Sequence, residues 1–142
     1  MGPAAVRRAA AIALTLAALA AGARAADGPG DRAWSLFYAR GVAETCGAMS
    51  GLAEVGLARA VAGLRGAGGL DDALLSARRL DGLNAADREW SNRGLGGFRR
   101  WCAGEGAAAQ GWLEGLATLP ALDRPRGLRP PPSDHTTVTI RP

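Results

Sequence analysis

Residues 34–64 read WSLFYARGVAETCGAMSGLAEVGLARAVAGL, and the spacing of their apolar side chains decides the fold. Val42, Cys46, Met49, Ala53, Leu57, Ala60 and Leu64 follow one another in steps of three or four, so they line one stripe of a helix. Arg40, Glu44, Gly47, Gly51 and Glu54 fall on the opposite side, the face expected to meet water. Arg40 and Glu44, four apart, suit a surface ion pair worth a few tenths of a kcal/mol. Six glycines (41, 47, 51, 56, 63 and 66) lie in or beside the stretch, and each costs about 0.5–1 kcal/mol relative to alanine in a helix interior. Either they bend or break the helix near Ser50–Gly51, or they let a neighbouring helix come close. The bent helix is the favoured expectation. Trp34, Phe37 and Tyr38 are expected to anchor its first turn, with Asp31 capping a helix that starts near Ala33.

The clearest partner is the segment from Trp90 to Cys102. Asn84 reads as its N-cap and Asp87 as a first-turn carboxylate. Trp90, Gly94, Phe98 and Trp101 then recur at helical spacing, with Arg88, Asn92, Arg93, Arg99 and Arg100 on the other side. This helix is expected to end near Gly104–Gly106. Before it, Leu70 to Leu80 reads as a short helix with Asp71 and Asp72 in its first turn and Arg78 and Arg79 in its last, an order that suits the helix dipole. Gly82 then reads as a C-terminal stop. Ala107 to Leu119 forms a predicted further helix, with Ala109, Trp112 or Leu113, and Leu116 inward, closed by Pro120. From Pro120 onward proline and arginine dominate, and residues 123–142 read as an extended or disordered tail. Thr136 to Ile140 would make a short strand only against a free sheet edge. No internal repeat is found. The predicted fold class is all-α: three to five helices around one core.

Residues 1–25 read as a secretory signal, with Arg7 and Arg8 as the positive start, an apolar run from Ala9 to Ala21, and Ala23-Arg24-Ala25 as the cleavage motif. The run is shorter than the roughly 20 residues that a membrane span needs. An exported chain, periplasmic or secreted, starting at Ala26 and without stable membrane insertion is therefore expected, with residues 26–122 as its helical domain. Export also alters the charge argument. The chain has 17 basic residues, all arginine, against 13 acidic. Removing Arg7, Arg8 and Arg24 from the 17 leaves 14 against 13. The high pI thus belongs mostly to the leader, and nucleic acid is not an expected partner.

Two cysteines on apolar helix sides of an exported chain are expected to pair, Cys46 with Cys102. Closing that loop is worth roughly 4 kcal/mol on the chain-entropy account. Neither C-x-x-C nor C-x-x-C-H occurs, so redox exchange and c-type haem find no support. The single histidine, His135, lies in the proline-rich tail, and with paired cysteines a zinc site would rest on carboxylates alone. No cofactor or metal is expected. Glu105 is flanked by two glycines, which predict an exposed helix end. A partly buried carboxylate there would instead have the raised pKa of a general acid. Glu44 and Glu89 fall on predicted polar faces.

Arg88, Arg93, Arg99 and Arg100 form the densest positive face, diluted by Asp87 and Glu89. They suit phosphate or carboxylate groups of a protein or an envelope polymer. Three of the four tryptophans fit the inward stripes, and one exposed beside the arginines would favour a partner-binding face. The leading functional expectation is an exported, non-enzymatic binding or interaction protein, chaperone-like or inhibitor-like. No motif names a family, although the plan resembles small single-disulfide helical periplasmic chaperones in architecture. The alternatives are a small exported hydrolase using Glu105 with Glu44 or Glu89, and an accessory subunit that docks through its C-terminal tail.

Overall fold

The structure, a computed structural model, describes residues 27–133. The leader-like residues 1–25, the possible strand at 136–140 and His135 lie outside the described residues. The described residues are all-helical, as the sequence predicts: α1 Pro29–Thr45, α2 Gly51–Ala67, α3 Asp72–Asn92, α4 Gly94–Trp101 and α5 Ala107–Leu116. A π-helical turn, Cys102–Gly106, joins α4 to α5, so these run on as one rod. No described helix is long and apolar enough to cross a membrane. Helix α1 is central, packing mainly on α3 and next on α5, while α2 packs mainly on α5. The core gathers Leu36, Tyr38 and Val42 of α1 with Leu113 and Leu116 of α5.

The long opening stretch is two separate helices, parted before Gly51, and not the one bent helix favoured from the sequence. Gly47 ends α1 with φ at +66°, a left-handed conformation that glycine adopts without steric cost. Its N–H donates to Glu44 O at 3.1 Å and that of Ala48 to Ala43 O at 2.7 Å, the paired bonds of a Schellman ending. Ser50 then caps α2, its Oγ accepting from Ala53 N at 3.1 Å and donating to Glu114 Oε1 at 2.7 Å. The start of α1 differs from expectation. It lies at Pro29, with Gly28 as N-cap and Asp31 already in the first turn. Proline suits that position because its fixed φ is helical and its missing N–H would have no partner there.

The largest correction concerns residues 70–92. A stop at Gly82 and a new helix capped by Asn84 were expected. Instead α3 is continuous from Asp72 to Asn92, capped by Asp71, whose Oδ1 accepts from Leu74 N at 2.7 Å. Gly82 is there for close approach. A Cβ on it would lie 2.6 Å from Trp34 O and 2.8 Å from Tyr38 N, so only glycine lets α3 lie flush on α1. Gly56 serves α2 the same way, since a Cβ there would stand 1.7 Å from Leu113 O. The expected end at Gly104–Gly106 is likewise absent, because the π-helical turn carries the chain through those glycines. Gly106 leaves room for the disulfide, with Cys46 Sγ only 3.0 Å from where its Cβ would be. The Cys46–Cys102 bond is formed, with Cα atoms 5.4 Å apart.

Helix α5 stops at Leu116 and not Leu119. Tight-turn bonds from Thr118 and Leu119 to Gly115 O, and a bond from Arg59 to Ala117 O, satisfy its last carbonyls. The described part of the C-terminal segment carries no helix, as predicted, and it packs back on the bundle. Arg32 donates to Pro120 O and Leu122 O at 3.0 and 2.9 Å, and Trp112 Nε1 donates to Leu122 O at 2.9 Å. Leu128 is 1% exposed.

Candidate functional site

The π-helical turn places Glu105 at a junction of three elements. Its Oε1 accepts from Tyr38 OH at 2.8 Å and from Arg129 N at 2.9 Å, and its Oε2 accepts from Trp101 Nε1 at 2.7 Å. The exposed helix end expected from the flanking glycines is thus corrected to a half-buried carboxylate held by three donors. The chain continues as helix through those glycines, and Glu105, four residues after Trp101, shares its face and meets Tyr38 of α1. Tyr38, stacked on Trp34 with ring centres 5.0 Å apart, is held protonated far above the ordinary phenol range. Burial is the main cause, followed by its hydrogen bond to Glu105 and the charges of Glu105 and Glu89, with Arg129 opposing them.

Arg129 also reaches Glu89 through its guanidinium. One residue of the C-terminal segment therefore bridges Glu89 and Glu105. Glu89 accepts in addition from Arg93 Nη2 at 2.8 Å. Glu44, the third candidate carboxylate, pairs instead with Arg40 at 2.9 Å on the solvated side of α1.

Beside this junction lies a cleft of about 400 Å3. Arg78, Asp81, Ala85, Arg88 and Asn92 line it from one face of α3, following one another by three- and four-residue steps. Trp34 contributes from α1, and Arg129 and Pro132 close the far side. The Nε of Arg78 is shielded from water and has no hydrogen-bond partner. Among the described residues Arg88 has no ion-pair partner. The walls carry three guanidiniums against the carboxylates of Asp81 and Glu89.

The four arginines singled out from sequence divide among different surroundings. Arg88 lines the cleft. Arg93 is held by Glu89 and lies over the Trp101 ring, 5.5 Å from its centre. Arg99 and Arg100 are exposed in the last turn of α4, without ion-pair partners among the described residues. Trp34, Trp101 and Trp112 are buried, whereas Trp90 and Phe98 are each 37% exposed and pack together at 5.3 Å. Trp90 also meets Trp101 at 6.3 Å. An aromatic pair thus stands half in solvent on the elements that carry the arginines.

Among the described residues no group of three His, Cys, Asp or Glu side chains converges to hold a metal. Sequence reasoning missed Arg78, Asp81 and Arg129. The first two share the helical spacing of Arg88 and Asn92, but that signal vanishes once Gly82 is read as a helix stop. Arg129 reaches the site by the return of an irregular segment, and no local spacing encodes that. No protein-family model, no curated protein and no solved structure matches this chain, so the reading of its function rests on its own residues.

Proposed function

We propose that the protein is an exported, non-enzymatic binding protein. It engages an anionic partner, a protein or an envelope polymer, through the surface formed by the end of α3 and by α4. The observation that carries this reading is the half-exposed Trp90–Phe98 pair on the elements bearing Arg93, Arg99 and Arg100. Aromatic and arginine side chains dominate the energetics of recognition surfaces, and a guanidinium without an internal carboxylate is free to pair with an external one. Export is supported by the leader-like composition of residues 1–25 and by the Cys46–Cys102 disulfide, which suits an oxidising compartment.

A hydrolase reading draws on one observation, the convergence of Glu89 and Glu105 on Arg129. Arg129 itself takes up acceptor positions on both carboxylates, where a water and a scissile bond would have to fit. Docking through the tail draws less support, because residues 120–133 already bond to the bundle.

The test is capture of partners from envelope extract by the protein expressed with its own leader, alongside a Trp90→Ala/Phe98→Ala variant and an Arg99→Glu/Arg100→Glu variant. A partner retained by the wild type and lost by both variants is the expected result. A partner held equally by all three would overturn the assignment of the surface. Retention of residues 1–25 in the purified protein would overturn export.

A further inference from the structure

We infer that the cleft between α3 and the C-terminal segment is a binding site for a small polar molecule bearing an oxyanion, a carboxylate or a phosphate monoester, with Arg78 and Arg88 as its anion-binding residues. The site is separate from the outer aromatic surface, and the inference does not depend on that surface being a partner face. Three observations converge on it.

The first is size. At about 400 Å3 the cleft falls within the range of small-molecule sites, about 300–1,000 Å3.

The second is the state of its charges. Glu89 and Arg129 satisfy each other, and Glu89 also holds Arg93. Arg78 and Arg88 are left lining the cavity with no ion-pair partner among the described residues. Arg78 Nε, packed against the backbone of α1 at Gly30, is shielded from water and lacks an acceptor. Each guanidinium fork offers the planar set of donors that a carboxylate or phosphate oxyanion accepts best.

The third is the remainder of the lining. Asp81 and Asn92 offer an acceptor and an amide on the same helix face, and Trp34 also lines the cleft. Those groups suit the hydroxyls and ring of a sugar-sized molecule better than a bare inorganic ion. Asp81 also disfavours ligands with a second anionic group at that end.

The experiment is titration of the full protein, followed by its arginine Nε–H and tryptophan indole NMR signals. Glucuronate and glucose 6-phosphate are the probes that separate carboxylate from phosphate. Inorganic phosphate and neutral glucose are the comparisons. Saturable shifts of the Arg78, Arg88 and Trp34 signals with either organic anion, weaker for inorganic phosphate and absent for glucose, are expected. Arg88→Gln, an exposed position that leaves the fold intact, should weaken binding at least about tenfold, the loss of one charge-assisted bond, and Arg78→Gln should do the same. Arg99→Gln/Arg100→Gln should leave the affinity unchanged while removing any capture that depends on the outer surface, so the two readings fail separately. No saturable shift below about 10 mM, where an affinity reflects no specific recognition, would overturn the inference. Equal binding by wild type and Arg88→Gln would overturn it too.

Discussion

Tyr38 is the only tyrosine in the chain, and its ring is fully buried against Trp34 with its hydroxyl committed to Glu105. Its ionisation can therefore be followed by phenolate absorbance without interference from another residue. The folded state holds the proton far above the ordinary phenol range, chiefly through burial, while the unfolded chain releases it near pH 10. Below that pH both states keep the proton and the shift contributes no pH dependence. Above it only the unfolded state ionises, so stability falls by up to about 1.4 kcal/mol per pH unit. Phenolate absorbance is expected to appear together with the loss of helical circular dichroism, as one transition. Ionisation near pH 10 with the helices intact would show that Tyr38 is not sealed. Tyr38→Phe should abolish the effect and cost about 1.5–3 kcal/mol, as expected for a hydrogen bond to a charged acceptor. At the acid end Glu114 acts in the opposite sense. Bonds from Gln110 and Ser50 hold its carboxyl below the usual carboxylate range, so the stability it contributes is present above that range and declines as pH falls through the lowered value.

At the scale of elements, glycines with different duties make the sharpest prediction. Gly82→Ala and Gly56→Ala put a methyl against backbone of the neighbouring helix. Each should destabilise by about 1–3 kcal/mol or more in urea unfolding, the range for forcing apart a packed interface. Gly63→Ala meets nothing within 4 Å on an exposed face of α2 and should stabilise by about 0.5–1 kcal/mol. A similar response at all three positions would refute the close helix contacts. The same glycines mark the limit of what could be read from the sequence. The stripe from Val42 to Leu64 and an interruption near Ser50 were legible because apolar period and a concentration of glycines are local signals. Gly82 was misread because a glycine that ends a helix and one that admits a second helix look alike until the partner is known. Asn84 misled for a related reason, since its capping preference yields to the continuous packing of α3 on α1. The π-helical turn has no sequence signature that separates it from a glycine-rich helix end.

For the whole molecule, the sequence grouped Arg88, Arg93, Arg99 and Arg100 on one face, whereas the structure divides them and builds a cleft that could not be read in advance, because the cleft needs α3 unbroken and Arg129 brought back from beyond α5. The closure that brings Arg129 back depends on Leu128, buried in an otherwise irregular segment. Leu128→Ala should cost about 2–5 kcal/mol, the range for a buried leucine, and should weaken the Arg129 contacts to Glu89 and Glu105. The disulfide constrains the molecule on the other side. It ties the end of α1 to the π-helical turn, and the Glu105 junction begins three residues later. Cys46 and Cys102 are both only partly exposed and touch the core, so their joint replacement by alanine removes the link without leaving a charged or reactive group. The Cys46→Ala/Cys102→Ala protein is expected to keep its helical content and to lose about 4 kcal/mol in urea unfolding, as loop closure over this separation implies. Against the roughly 5–15 kcal/mol that hold a typical domain, that loss would leave a measurable unfolded fraction near its melting range and an earlier acid transition. A loss below about 1 kcal/mol, well under the usual effect of a native disulfide, would mean that glycine-mediated helix contacts suffice on their own, and that the bond serves to position the π-helical turn and Glu105.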